Sequence, residues 1–295
     1  MVFTLLQRYL RVQRSHEVDL DELLRDAARE AERRILAISN RRGVGGEIRR
    51  AQYRLVLREI HALQREMWGG VGKQLNADMS RAARAAADAE NAINRLLFQA
   101  TGTTYSRDFA EAMRIQAEQG LKNVAARGAN GVPLSKQVYR TRAWSNNLLD
   151  RTINRGILLG LSAKEIAASV KELILPSTPG GVSYAAKRLG RTELNNAFHT
   201  TQIDLRKGDP WVEGLKWNLS SSHPRPDVCD QYAHSSHYRG GDSGVFRKGD
   251  VPSKPHPQCL CFLTTVTVPP SEFEAAMVAG RYDSFINSKL ELLEP

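Results

Sequence analysis

Two runs decide how this chain is read: H-P-R-P-D-V-C-D-Q-Y-A at residues 223–233, and P-H-P-Q-C-L-C-F-L-T-T-V-T-V at residues 255–268. With the span joining them, they hold all three cysteines of the 295 residues (Cys229, Cys259, Cys261) and four of the seven histidines (His223, His234, His237, His256). Thiolates and imidazoles are the ligands zinc prefers, and a structural zinc site takes four. Their concentration in a cysteine-poor chain predicts a loop module clipped by metal. The paired C-x-x-C…C-x-x-C of a zinc ribbon is missing, so the ligand set has to be argued residue by residue.

Residues i and i+2 of an extended chain face the same way. Along 259–268, Leu260, Phe262, Val266 and Val268 fall on one side, and Cys259 and Cys261 on the other. One strand end can therefore offer two sulfurs to one ion while Cys229 arrives from the far side of the loop. His256, three residues before Cys259, is the candidate fourth ligand, with His234 and His237 as substitutes. The competing reading is that the cysteines are reduced, buried small hydrophobes. A Cys259–Cys261 disulfide does not fit, because extended i, i+2 side chains are too far apart for its geometry.

Upstream, L-K-W-N-L (215–219) alternates like a strand, so two strands bracket the loop. Before it, residues 184–207 read as a helix. Arg188, Arg191, Asn195, His199, Gln202 and Arg206 form a polar stripe there, and Leu194, Ala197, Phe198, Thr201 and Leu205 an apolar one. Glu193 lies at the edge of the apolar face, where a carboxylate calls for a buried partner; a catalytic acid is the sharper alternative, but no second carboxylate or nucleophile accompanies it. S-A-K-E (162–165) is a capping box that starts a short helix stopped by Pro176, and residues 135–161 form another helix.

The first 128 residues are periodic and helical. A helix is expected from Asp19, where D-L-D-E resembles a capping box, to a glycine-rich break at 41–46. A second runs from about Glu47 to Trp68 and stops at Gly69-Gly70, a third covers about 73–99, and Ser106 caps a fourth. His16 and His61 read as surface residues without a role. A-R-G-A-N-G-V-P (126–133) is the expected domain boundary. Pro269-Pro270 ends the last strand, Ser271 is a candidate cap for a short helix, and residues 288–295 read as a peripheral helix or tail. The fold class is α+β, mainly α. An elongated helical lobe (1–128) precedes a domain at 135–268 that ends in a small β module with a Cys/His-rich loop, and a C-terminal helix or tail (269–295) follows.

No stretch approaches the ~20 apolar residues of a membrane span. The start lacks a basic leader and a cleavage site, which predicts a protein that is not secreted, and three cysteines fit a reducing compartment better than a disulfide scaffold. Residues 1–128 carry 22 basic and 16 acidic groups, residues 129–215 carry 12 and 7, and residues 216–295 carry 8 and 9. The basic excess of the first two-thirds predicts weak, sequence-indifferent, salt-sensitive contact with double-stranded DNA; an ordinary solvated helical surface is the alternative.

G-L-S-A-K-E-I-A (160–167), G-R-T-E-L-N-N-A-F (190–198), L-K-W (215–217), H-P-R-P-D-V-C-D (223–230) and P-H-P-Q-C-L-C (255–261) occur in this order. The series resembles the head-morphogenesis, or minor head protein, family of tailed bacteriophages, the Mu F-like group, over roughly residues 135–268. Many members carry C-x-x-C in the first half of the loop, where this chain has Tyr232 in C-D-Q-Y; either His234, His237 or His256 then completes the site, or the loop is held without metal by hydrogen bonds, with Asp227 and Asp230 accepting backbone N–H bonds. The resemblance implies a non-enzymatic minor virion protein, placed in the head near the portal and made in the host cytoplasm, with portal and major head proteins and DNA as partners. The alternatives are a zinc-dependent, nuclease-like enzyme on nucleic acid, or a free non-specific DNA-binding protein. No H-E-x-x-H, H-x-E with P-C-x-x-C, G-x-x-x-x-G-K-[ST] or G-x-S-x-G occurs to support the enzyme.

Overall fold

Apolar stripes at helical spacing account for most of the chain, and one short alternating region makes the sheet. The structure, a computed structural model, describes residues 2–40, 50–127, 133–223, 226–238 and 241–293. The expected glycine break at 41–46, the Glu47 helix start and the centre of the 126–133 boundary lie outside the described residues. The elements are α1 (Val2–Asn40), α2 (Arg50–Ala100), α3 (Arg107–Arg127), α4 (Leu134–Leu158), α5 (Ala163–Ile174), α6 (Val182–Arg206), β1 (Val212–Asn218), α7 (Val228–His234), β2 (Val245–Arg247), β3 (Phe262–Thr267), α8 (Pro270–Val278) and α9 (Asp283–Leu290), with a final 3-10 turn at Glu291–Leu293. The α+β, mainly α class is as expected. No helix among the described residues is long and apolar enough to cross a membrane.

The chain divides into two compact units, each discontinuous in sequence. One comprises residues 14–76 and 132–191, the other residues 1–13, 77–131 and 192–295. Residues 1–128 therefore contribute to both.

The first unit is helical. Leu20, Leu24, Ile35, Ile60, Leu75, Leu149, Ile153, Ile166 and Val170 are among its buried side chains, each stabilising by roughly 1.5–3 kcal/mol on burial. Two expected helix boundaries are corrected here. Helix α1 runs straight through Asp19, because its inward face continues upstream through His16, which is only 1% exposed. Helix α2 runs through Gly69-Gly70. A Cβ at Gly70 would come within 3.0 Å of Leu23 Cδ1, so this glycine marks a close helix approach rather than a stop. His16 is likewise no surface residue: it packs where a Cβ at Gly190 of α6 would sit. His61 is partly buried and pairs with Asp150 at 2.8 Å. The Ser162 capping box forms as expected, with Ser162 Oγ accepting from the Glu165 N–H at 3.3 Å.

The second unit carries the sheet, in the order β2-β1-β3 with both pairings antiparallel. Leu215 pairs with Thr265 and Trp217 with Leu263, the expected pairing of the two alternating runs. The strand starts only at Phe262, so Cys259 and Cys261 lie in its approach. Their side is the buried one: Cys259, Cys261 and Leu263 pack with Leu215, Trp217 and Phe246, while Leu260 is exposed. Ser106 caps α3 by accepting from the Phe109 N–H at 3.0 Å. Ser271 caps nothing; Pro269 is the N-cap of α8, and Pro270 fills the first helical position, where a missing N–H costs nothing. An aromatic cluster of Phe98, Phe109, Trp211, Phe273 and Tyr282 joins α2, α3, β1, α8 and the start of α9.

Within this unit the polar stripe of α6 turns inward. Arg206, fully buried, donates Nε–H to Glu90 Oε2 at 2.7 Å, Nη1–H to Asn94 Oδ1 at 2.7 Å and to Asp209, and Nη2–H to the Glu90 carbonyl at 3.0 Å. Gln202 and Thr265 complete Glu90, each at 2.8 Å. Every charge in this network has a partner, as burial requires.

Candidate metal centre

The loop between β1 and β3 is organised by local hydrogen bonds. Asp227 is the N-cap of α7 and forms a capping box with Asp230: Asp227 Oδ1 accepts from the Cys229 N–H at 2.6 Å, and Asp230 Oδ2 from the Asp227 N–H at 2.7 Å. These are the supporting roles expected of the two aspartates. The short helix they start fixes Cys229 in its first turn. On the other side, Gln258 adopts a φ of 59°, in the left-handed region that non-glycine residues rarely enter. Its N–H donates to Thr192 Oγ1 at 3.2 Å, so the threonine of the R-T-E run anchors the turn that delivers Cys259. The neighbouring Arg191 pairs with Glu17 at 2.7 Å, and Glu193 is 1% exposed.

The loop brings together Cys229, His256 and Cys259, whose ligand atoms all lie within 4.8 Å of one another and could hold a metal ion. Cys229 Sγ is 3.6 Å from Cys259 Sγ and 3.5 Å from His256 Nε2. Tetrahedral zinc, with bonds of about 2.3 Å to sulfur and 2.0–2.1 Å to nitrogen, separates two sulfurs by about 3.8 Å and a sulfur from a nitrogen by about 3.5 Å. Two of the trio's edges, Cys229–Cys259 and Cys229–His256, thus already match such a site.

Cys261 lies beside this trio. The neighbouring Cys259 thiol first, then the Ser220 backbone and the Cys229 thiol, hold its pKa down to about 5 against the cost of burial. Burial pushes Cys229 up to about 12, and Cys259 is raised by its bond to Cys261. Of the three thiols, Cys261 is therefore the most acidic. Lys254, itself buried, donates to the Cys261 carbonyl and adds a positive charge nearby. Burial lowers its pKa, and the three sulfurs oppose that shift.

Two imidazoles flank the sulfurs. His256 Nδ1 donates to the Pro257 carbonyl at 3.1 Å, which leaves Nε2 facing both Cys229 and Asp227 Oδ2, the latter at 3.1 Å. His223 Nε2 donates to Asp230 Oδ2 at 2.9 Å, turning Nδ1 toward Cys261 Sγ at 3.9 Å. In each ring the nitrogen away from the sulfurs is occupied by an acceptor, the arrangement that orients metal-bound histidines. The nitrogens facing the sulfurs are thereby left available to a cation.

Neither substitute histidine joins the trio. His234 is exposed at the end of α7. His237 bonds the Tyr232 carbonyl at 2.7 Å and stacks on Phe246 with centroids 3.6 Å apart. Tyr232, at the position where C-x-x-C would place a second cysteine, packs edge-on against Trp217. Sequence reasoning passes over His223 as a ligand, although H-P-R-P-D-V-C-D begins with it, because only its pairing with Asp230 shows which ring nitrogen is free. No known protein family, curated protein or solved structure matches the chain.

Proposed function

We propose that Cys229, Cys259, Cys261 and one imidazole, His256 or His223, hold a single structural zinc ion that closes the 223–261 loop. The observation that carries this reading is the grouping of Cys229, His256 and Cys259 with ligand atoms within 4.8 Å of one another, two of the edges matching tetrahedral zinc, and with Cys261 buried in the same cluster. Zinc would replace the thiol protons and bring a positive charge to the sulfurs. A set of four protein ligands leaves no open coordination position, which makes the ion structural rather than catalytic.

On the wider role, we propose a minor head protein of a tailed bacteriophage, non-enzymatic, acting in assembly near the portal and contacting DNA. The ordered series of motifs supports it, and four of its five parts serve the fold directly. S-A-K-E caps α5, R-T-E anchors the Gln258 turn, and the two Cys/His runs meet in one cluster. The test is to locate the chain in purified procapsids by tagging and image reconstruction. Density at the portal vertex is the expected result. Absence from particles contradicts the head role and leaves the metal clip standing, since the clip rests on the geometry of the cluster alone.

A further inference from the structure

Helix α4 has two unlike faces. Leu134, Ser145, Leu149, Ile153 and Gly156 are its buried residues. On the opposite side lie Lys136, Arg140, Trp144, Asn147, Arg151 and Arg155, all exposed. Each follows the last by about one turn, so at 3.6 residues per turn they fall within about 100° of arc. The helix carries five cations and a single acid, Asp150, which is engaged by His61. Among the described residues none of Lys136, Arg140, Arg151 and Arg155 has an acidic partner, whereas Arg8, Arg34, Arg84, Arg114 and Arg191 all pair with carboxylates. The row from Lys136 to Arg155 is about 28 Å long at 1.5 Å per residue.

The aromatic content separates this face from an ordinary solvated one. Trp144 is 45% exposed in the middle of the cations, while Trp68, Trp211 and Trp217 are at most 1% exposed. Tyr139, 60% exposed, lies at the margin under the Arg142 guanidinium, 5.2 Å from its centroid. Cations without acidic partners attract phosphates, and an exposed indole among them offers a stacking platform to a base. Bases within a duplex are already stacked and cannot use that platform; unpaired bases can.

We propose that the solvent face of α4 is a binding surface for single-stranded nucleic acid, with Lys136, Arg140, Arg151 and Arg155 contacting phosphates and Trp144 stacking on an unpaired base. This does not rest on the head-protein reading, since the face lies within one helix and would serve a protein of any role.

Because Trp144 is the one well-exposed tryptophan of the four, intrinsic fluorescence reads the site directly. A 20-nucleotide oligo-dT is titrated into the intact protein at rising salt, and a duplex of equal length beside it. The expected result is quenching by oligo-dT that weakens steeply with salt, and binding of the duplex with little quenching. Arg140→Glu with Arg151→Glu should cost at least ~10-fold in affinity at low salt by removing phosphate contacts. Trp144→Phe should keep most of the affinity and abolish the quenching. These positions are exposed, so an unchanged circular dichroism spectrum is expected of both variants, and the titration of the unaltered protein stands independently of them. Absence of quenching in the unaltered protein, affinity unmoved by the charge reversals, or quenching that survives Trp144→Phe overturns the proposal. So does a blue-shifted Trp144 signal on phosphatidylserine vesicles without oligonucleotide binding, which would make the face a membrane surface.

Discussion

Two buried polar clusters in the same unit contrast in how they are satisfied. Around Arg206, the carboxylates of Glu90 and Asp209 surround one guanidinium, and Asn94, Gln202 and Thr265 supply further hydrogen bonds. Fixed charges of opposite sign meet there. Around the cysteines, three sulfurs and two oriented imidazoles converge, with Asp230 behind His223 and the Pro257 carbonyl behind His256. That cluster's cation stands to one side: Lys254 donates to the Cys261 carbonyl, not to a sulfur. The first holds helices and sheet together; the second includes a trio that could hold a metal ion.

The largest expected effect breaks the first cluster. Arg206→Met leaves Glu90 and Asp209 buried without their cation, and removing one partner of such a pair costs about 3–5 kcal/mol. Urea unfolding should show a loss of that size. A change below about 1 kcal/mol would mean that water reaches these carboxylates and that the contrast between the clusters is overstated.

A smaller effect comes from His199, on α6 between the clusters. It is buried, bonds the Pro252 carbonyl through Nε2 at 2.9 Å, and is pushed down to about 3, first by burial and then by Lys254. Its folded pKa lies below the unfolded value of about 6.5, so its contribution is full at neutral pH. It declines as pH falls below about 6.5, because the unfolded chain then binds the proton the folded protein refuses. Between pH 6.5 and 5 this amounts to about 2 kcal/mol. The unfolding free energy should drop by that amount, and His199→Gln should remove this part of the slope.

The smallest effect sharpens the second cluster. If His223 is a ligand, Asp230 orients it, and Asp230→Asn keeps an oxygen for the capping box while losing the carboxylate. Such outer partners are typically worth about 10–100-fold in metal affinity, and the lower figure is expected at this half-buried site. Unchanged affinity, measured by competition with a chromogenic chelator, would assign the imidazole ligand to His256 instead.

Much of the fold is readable from residue order, and what is not has physical causes. Alternation locates β1 and β3 because Leu215, Trp217 and Leu263 face one cluster while their neighbours do not. Ser106 and Ser162 mark helix starts because a side-chain oxygen there meets an N–H with no helical partner. Asp19 and Gly69-Gly70 mislead because a cap or a glycine stops a helix only where no neighbour rewards its continuation; buried His16 and the approach of Leu23 to Gly70 do so here. The division into units is hidden because α1, α2 and α6 each contribute to both. Strand β2 has only three residues, too few for a pattern. Three cysteines and His256 can be named from spacing, whereas the facing nitrogen of His223 depends on a fold that closes the loop.

The central claim is that the Cys/His cluster is a metal site, and metal content tests it most directly. Protein purified without chelator is assayed for metals by inductively coupled plasma mass spectrometry, alongside Cys259→Ser, with limited proteolysis of both. The account predicts about one zinc per chain under a one-site model. It also predicts loss of that zinc in Cys259→Ser, with faster cleavage between residues 223 and 261 and the helices intact. Metal-free protein that does not take up zinc, with a protease-resistant loop in both forms, would contradict it and leave the cysteines as packing residues.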